Sequence, residues 1–123
     1  MQYAIFCYDS EEEVSAWSAE KDAEVMASLD AVQDRLKAQG RMGPVARLGP
    51  TAKAKTIRKG RGGLVLDGPF AETKEQLLGF YVVECATPEE AIEVAQDLAR
   101  ASGSNGAFEV RPMALFRSGV LTA

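Results

Sequence analysis

Residues 79–90 read Gly-Phe-Tyr-Val-Val-Glu-Cys-Ala-Thr-Pro-Glu-Glu. The first seven are dominated by aromatic and β-branched side chains, the composition of a buried strand. The last four carry a helix start: Thr87 caps, Pro88 takes the first helical position, and Glu90 closes a capping box. Ala91, Ile92, Val94, Ala95, Leu98 and Ala99 then make an amphipathic helix that stops between residues 100 and 103. A strand therefore feeds directly into a helix. Along that strand Phe80 and Val82 point one way and Tyr81, Val83 and Cys85 the other, so both of its faces are apolar.

The same unit occurs nearer the N-terminus. Residues 3–8 (Tyr-Ala-Ile-Phe-Cys-Tyr) form a strand ending at Asp9 and Ser10. Ser10 and Glu13 have capping-box spacing for a short helical turn holding Trp17. Ser18 caps a long helix to about Gln39, with Val25, Leu29, Val32 and Leu36 on one face and Gly40 as its stop. Residues 54–58 and 64–66 read as two short strands joined through residues 59–63 as a hairpin. Residues 67–70 are turn chemistry, and residues 71–77 a polar segment with at most one helical turn. Residues 107–116 form a last strand interrupted by Pro112, which marks an edge or a bulge. One domain over residues 1–116 and a tail over 117–123 are expected. The order of elements predicts an α+β fold: the ferredoxin-like split βαβ arrangement, with an antiparallel sheet and an extra β-hairpin.

Two helices cover one face of such a sheet, and the other face then needs polar side chains if it meets water. It does not have them. Ala4, Phe6 and Tyr8 lie opposite Tyr3, Ile5 and Cys7. Leaving large apolar side chains exposed costs roughly 1.5–3 kcal/mol each. The expected cover is a second copy, giving a homodimer through the sheet face.

The 123 residues are 46% hydrophobic and 26% charged, with 14 basic and 18 acidic residues and a net charge of −4. This is the composition of a globular domain and argues against a nucleic-acid binder. There is no histidine. Histidine-based triads, imidazole acid–base chemistry and histidine metal ligation are thereby excluded. No metal-ligand spacing occurs, so neither metal nor cofactor is expected. Cys7 and Cys85 read as two reduced thiols packed as small hydrophobes, with a disulfide between paired strands as the alternative. The N-terminal residues lack the basic region and apolar core of a signal peptide, and no segment has the ~20 apolar residues that span a bilayer. A soluble cytoplasmic protein with no membrane partner is expected. Gly60-Arg61-Gly62-Gly63 is not a phosphate loop, because neither Lys-Ser/Thr nor a helix follows it.

Residues 67–75 (Asp-Gly-Pro-Phe-Ala-Glu-Thr-Lys-Glu), together with residues 78–84 and 109–112, resemble the YCII-related, or DGPF, family across nearly the whole chain. The resemblance implies a dimeric α+β barrel. It does not imply one activity: the superfamily includes cofactor-free monooxygenases, muconolactone-isomerase-like and haem-dependent enzymes, and small-ligand sensors. Relatives are often associated with extracytoplasmic-function sigma factors. A His–Asp pair used in one branch is not transferable to a chain without histidine.

Asp67 is the leading catalytic candidate, a carboxylate at a strand end that serves as general acid or base if partly buried. A backbone-bonded turn residue is the alternative role. Arg111 is a candidate for binding a substrate carboxylate, with Glu109 or Glu84 holding it, against a structural ion pair. Tyr3 and Tyr8 offer hydroxyl donors, against core or interface packing. Phe70 and Thr73 belong to a segment that either closes over a pocket or seals and caps the turn. The chain thus reads as a small-molecule binder, with an anionic or enolisable ligand near Asp67 and cofactor-free acid–base chemistry. A non-catalytic ligand-binding or regulatory dimer is the alternative.

Overall fold

Three side-chain caps set the helices. In the computed structural model, which describes residues 1–60 and 62–121, the hydroxyls of Ser10, Ser18 and Thr87 accept hydrogen bonds from the backbone N–H of Glu13, Lys21 and Glu90. Each bond satisfies a donor that the first helical turn leaves free. The elements run β1 (Gln2–Asp9), α1 (Glu11–Ser15), α2 (Ala19–Ala38), β2 (Met42–Arg47), a 3₁₀ turn (Thr51–Lys53), β3 (Lys55–Arg58), β4 (Leu64–Asp67), β5 (Gln76–Glu84), α3 (Pro88–Ser102) and β6 (Ala107–Pro112). Gly103 ends α3 in the left-handed conformation at φ 65°, which glycine adopts without a Cβ clash.

Four strands form one sheet in the order β2-β5-β1-β6, all neighbours antiparallel. The two central strands are the two apolar runs, and α2 and α3 connect each to an edge strand. This is the ferredoxin-like split βαβ arrangement expected from the sequence. The helices share one face. There Tyr3, Ile5, Tyr81, Val83 and Cys85 pack against Val32, Leu36, Ala91, Val94 and Leu98. Ile5, Val83 and Leu98 have no exposed surface.

The structure adds one strand to the sequence reading and shortens another. Residues 42–47, to which the sequence analysis assigns no element, are edge strand β2. Pro44 is tolerated there because the edge needs fewer N–H donors, and a register shift between Met42 and Val45 absorbs it. The extra hairpin β3–β4 forms its own two-stranded sheet. Residues 71–75 bend without a helical turn, and Gln76 and Leu77 already belong to β5. The last strand also stops at Pro112 instead of reaching residue 116.

On the face away from the helices Ala4 and Val82 are buried, and Phe6, Tyr8 and Phe80 are half-buried. Phe6 and Phe80 are directly opposite each other and meet edge to face at 6.5 Å. No helix covers them. Cys7 and Cys85 are both free thiols. Among the described residues no helix is long and apolar enough to cross a membrane.

Candidate functional site

The alternation of β1 that points Tyr3 and Ile5 into the core continues to Cys7 and Asp9. Beyond Ile5 the helices no longer cover the sheet as closely, and a cavity of about 130 Å³ opens. Its floor is made by Cys7 and Asp9 of β1, Gly79 and Tyr81 of β5, and Val45 and Arg47 of β2. In the sheet register Arg47 lies opposite Gly79, and Gly79 opposite Cys7. A Cβ at Gly79 would stand 2.3 Å from the Ala46 carbonyl oxygen, so only glycine lets the three strands meet here.

Helix α2 roofs the cavity with Val25, Met26 and Leu29, and the α1 segment walls it with Val14 and Trp17. That wall is fastened at its N-terminal end. Glu11 accepts from the Thr51 backbone N–H at 2.9 Å and from its hydroxyl at 2.5 Å, while the Glu11 N–H donates to Gln76 Oε1 at 2.9 Å.

The polar groups are few. Asp9 is 5% exposed, the one charged residue within the core among the described residues. Its Oδ1 accepts from the Ser10 N–H at 2.9 Å. Gly106 presses on it from the other side: a Cβ there would lie 2.0 Å from the Tyr8 carbonyl oxygen and 2.8 Å from Asp9 Cγ. Arg47 contributes the cation; its guanidinium lies 3.8 Å from Asp22 of α2 and 3.7 Å from Met26 Sδ. Burial pushes the Cys7 thiol up to about 11, with the Asp9 charge adding and Arg47 opposing. Burial likewise pushes the Tyr81 phenol up to about 12, with Cys7 and Asp30 adding and Arg47 opposing. At neutral pH both are therefore neutral proton donors, and Cys7 is not a ready nucleophile.

The candidates singled out in the sequence lie elsewhere. Asp67 sits on the hairpin with its side chain 87% exposed, ion-paired to Lys55; its carboxylate is not committed to the turn backbone, whose Gly68 N–H donates instead to Ala54 O at 2.8 Å. Phe70 does not seal the turn against the sheet: it is exposed, with the Arg58 guanidinium 5.2 Å from its ring centre. Thr73 donates to the Glu75 carbonyl. Tyr3 is core. Arg111 is exposed on the uncovered face opposite Ala4, and Glu84 is taken by the N-terminal ammonium at 3.0 Å. Only Tyr8 and Thr73 come together, in a shallow open groove with Lys74, Glu75 and Glu109. None of the six lines the Asp9–Arg47 cavity.

Asp9, Arg47 and Tyr81 were not among the sequence candidates. A signal existed for Asp9: an acidic residue at the next inward position after Tyr3, Ile5 and Cys7. None existed for Arg47, because β2 itself was not recognised.

Fold and cavity together define a ferredoxin-like α+β domain with a ligand-sized recess between sheet and helix. The chain belongs to the YCII-related domain family, which matches residues 1–117. It is 53% identical over 122 residues to an uncharacterized protein from Rhizobium meliloti (strain 1021), covering 98% of each chain. Its fold is similar to that of the 5-chloro-2-hydroxyhydroquinone dehydrochlorinase TftG from Burkholderia phenoliruptrix AC1100, solved in complex with 2,5-dihydroxybenzoquinone. The TM-score is 0.51, at 17% identity over 92% of this chain and 93% of the other.

Proposed function

We propose that the protein binds a compact, mostly apolar molecule of about one ring in the Asp9–Arg47 cavity, and that the molecule carries an enolisable or phenolic hydroxyl. Size supports this reading, since a cavity of about 150 Å³ accommodates a benzene-sized ligand. Charge narrows it. Two carboxylates, Asp9 and Asp22, line the cavity with one guanidinium, Arg47, so a ligand entering as an anion meets net repulsion. A neutral hydroxyl compound does not. Its O–H bond breaks as the proton passes to an Asp9 carboxylate oxygen, and the electron pair stays on the ligand oxygen as an enolate. Arg47 and the Tyr81 hydroxyl stabilise that oxygen. No cofactor enters this step. The TftG complex supports the size of the ligand, because 2,5-dihydroxybenzoquinone is a single-ring compound.

The proposal also has the protein act as a homodimer through the uncovered face of the sheet, where Phe6 and Phe80 lack a cover. The observation that carries the ligand reading is the buried Asp9 carboxylate at the floor of an apolar recess. The test is a thermal-shift and titration series with hydroxyquinones, phenols and matched carboxylic acids on the wild type, Asp9→Asn and Arg47→Ala. Phenol binding that is lost in Asp9→Asn supports the reading. Binding that survives it unchanged, or a preference for carboxylates, refutes it. Proton exchange or turnover of a bound compound separates the enzyme from a regulatory module that binds without turnover.

A further inference from the structure

The hairpin β3–β4 is the part of the chain that the domain leaves unsupported. It forms its own two-stranded sheet, and none of its described residues is buried. A hairpin of this kind is marginally stable by itself in water. Register and alternation put Ile57 and Val65 on one side, and Leu64 and Leu66 on the other. Phe70 follows immediately. These five side chains are between 44% and 75% exposed. At roughly 150–250 Å² for a large side chain they present on the order of 500 Å² of apolar surface, as large as the biggest patch on a typical monomer, about 300–600 Å².

We infer that this hairpin is an arm that packs onto a second copy of the chain and forms part of the same dimer as the sheet face. The inference rests on the homodimer reading above and deepens it. Area is the first argument. A standard interface buries roughly 800 Å² per partner. Much of the uncovered sheet face is already shielded within one chain, since Ala4 and Val82 are buried and Phe6, Tyr8 and Phe80 half-buried. The arm adds its own apolar surface to that of the sheet face.

Charge is the second argument. Residues 41–61 hold seven of the 14 basic residues (Arg41, Arg47, Lys53, Lys55, Arg58, Lys59, Arg61) and no acid. The rest of the chain then has seven basic residues against 18 acidic ones, a charge of −11. A second copy thus offers an acidic surface to a basic, apolar arm. Nucleic acid fits less well. Phosphates give the five apolar side chains nothing to pack on, and no aromatic residue lies between Arg41 and Arg61 for base stacking.

The test is the dissociation constant of the dimer, by sedimentation velocity on the full chain, for the wild type, for Leu64→Ser with Leu66→Ser, and for Arg58→Ala with Lys59→Ala. The leucine variant is expected to raise the constant by roughly 30-fold or more, as for lost interface anchors. The charge variant, which leaves the apolar surface in place, is expected to raise it several-fold and to flatten its salt dependence. Far-UV circular dichroism checks both folds; if the leucine variant unfolds, the charge variant decides by itself. An unchanged constant in the folded variants overturns the arm and leaves the sheet-face dimer standing. A wild type that is monomeric at 10-micromolar concentrations, taken as an order of magnitude for a working dimer, overturns both. Variants that lose retention on heparin while dimerising normally overturn the arm in favour of a polyanion.

Discussion

Cys7 is a built-in reporter of the cavity's electrostatics. An ordinary cysteine thiol ionises near 8.5, whereas burial and the Asp9 charge push this one up to about 11. Only the thiolate attacks an alkylating agent. At pH 7 the thiolate fraction then falls from about 3 in 100 to about 1 in 10,000, a ~300-fold slowing. In a Cys85→Ala background, which leaves one thiol, iodoacetamide should label Cys7 about 300-fold more slowly than a free cysteine peptide. The rate should climb about tenfold per pH unit until the pH approaches 11. Neighbours give the signs. Asp9→Asn removes a negative charge that opposes ionisation and should speed labelling, while Arg47→Ala removes a positive charge that favours it and should slow labelling further. The assay is mass spectrometry of the labelled fraction against time from pH 6 to pH 10.5. A rate that levels off near pH 9, or that ignores both substitutions, refutes the placement of Cys7 between Asp9 and Arg47.

Four further outcomes are expected. Leu98→Ala empties a fully buried position between α3 and the sheet and should cost about 2–5 kcal/mol in urea unfolding. Gly106→Ala drives a Cβ into the Tyr8 carbonyl; because backbone must give way, it should destabilise by roughly 1–3 kcal/mol and weaken cavity ligands by displacing Asp9. Thr87→Ala removes the bond to the Glu90 N–H at 3.2 Å and should lower stability by about 1 kcal/mol. Cys7 and Tyr81 stay protonated longer in the folded chain than in the unfolded one. Their contribution is therefore complete below about pH 9 and lost as the pH rises through 11 to 12, and the melting temperature should fall across that alkaline window.

The fold was legible because its signals are local. Thr87, Pro88 and Glu90 announce α3 in four residues, and Ser18 followed by the Val25, Leu29, Val32 and Leu36 face announces α2. Strand β2 was not legible. Met42 to Arg47 contains Gly43 and Pro44 and no aromatic residue, and it is a strand only because β5 offers it an edge. The site suffered for this. Asp9 was visible as the inward continuation of β1, but its counterpart Arg47 comes from a strand that local propensity hides, and the cavity exists only where the two meet. The residues the sequence pointed to, Asp67 and Phe70 above all, belong to a distinctive turn whose surroundings no local pattern specifies. The structure places them on an exposed hairpin, apart from the cavity.

The grip of Glu11 on Thr51 bears on the wall of the recess. A helix of five residues has almost no stability of its own, so the segment carrying Val14 and Trp17 is held by its anchors more than by its turns. Glu11, a residue outside the cavity's lining, thus holds the Val14 and Trp17 wall in place.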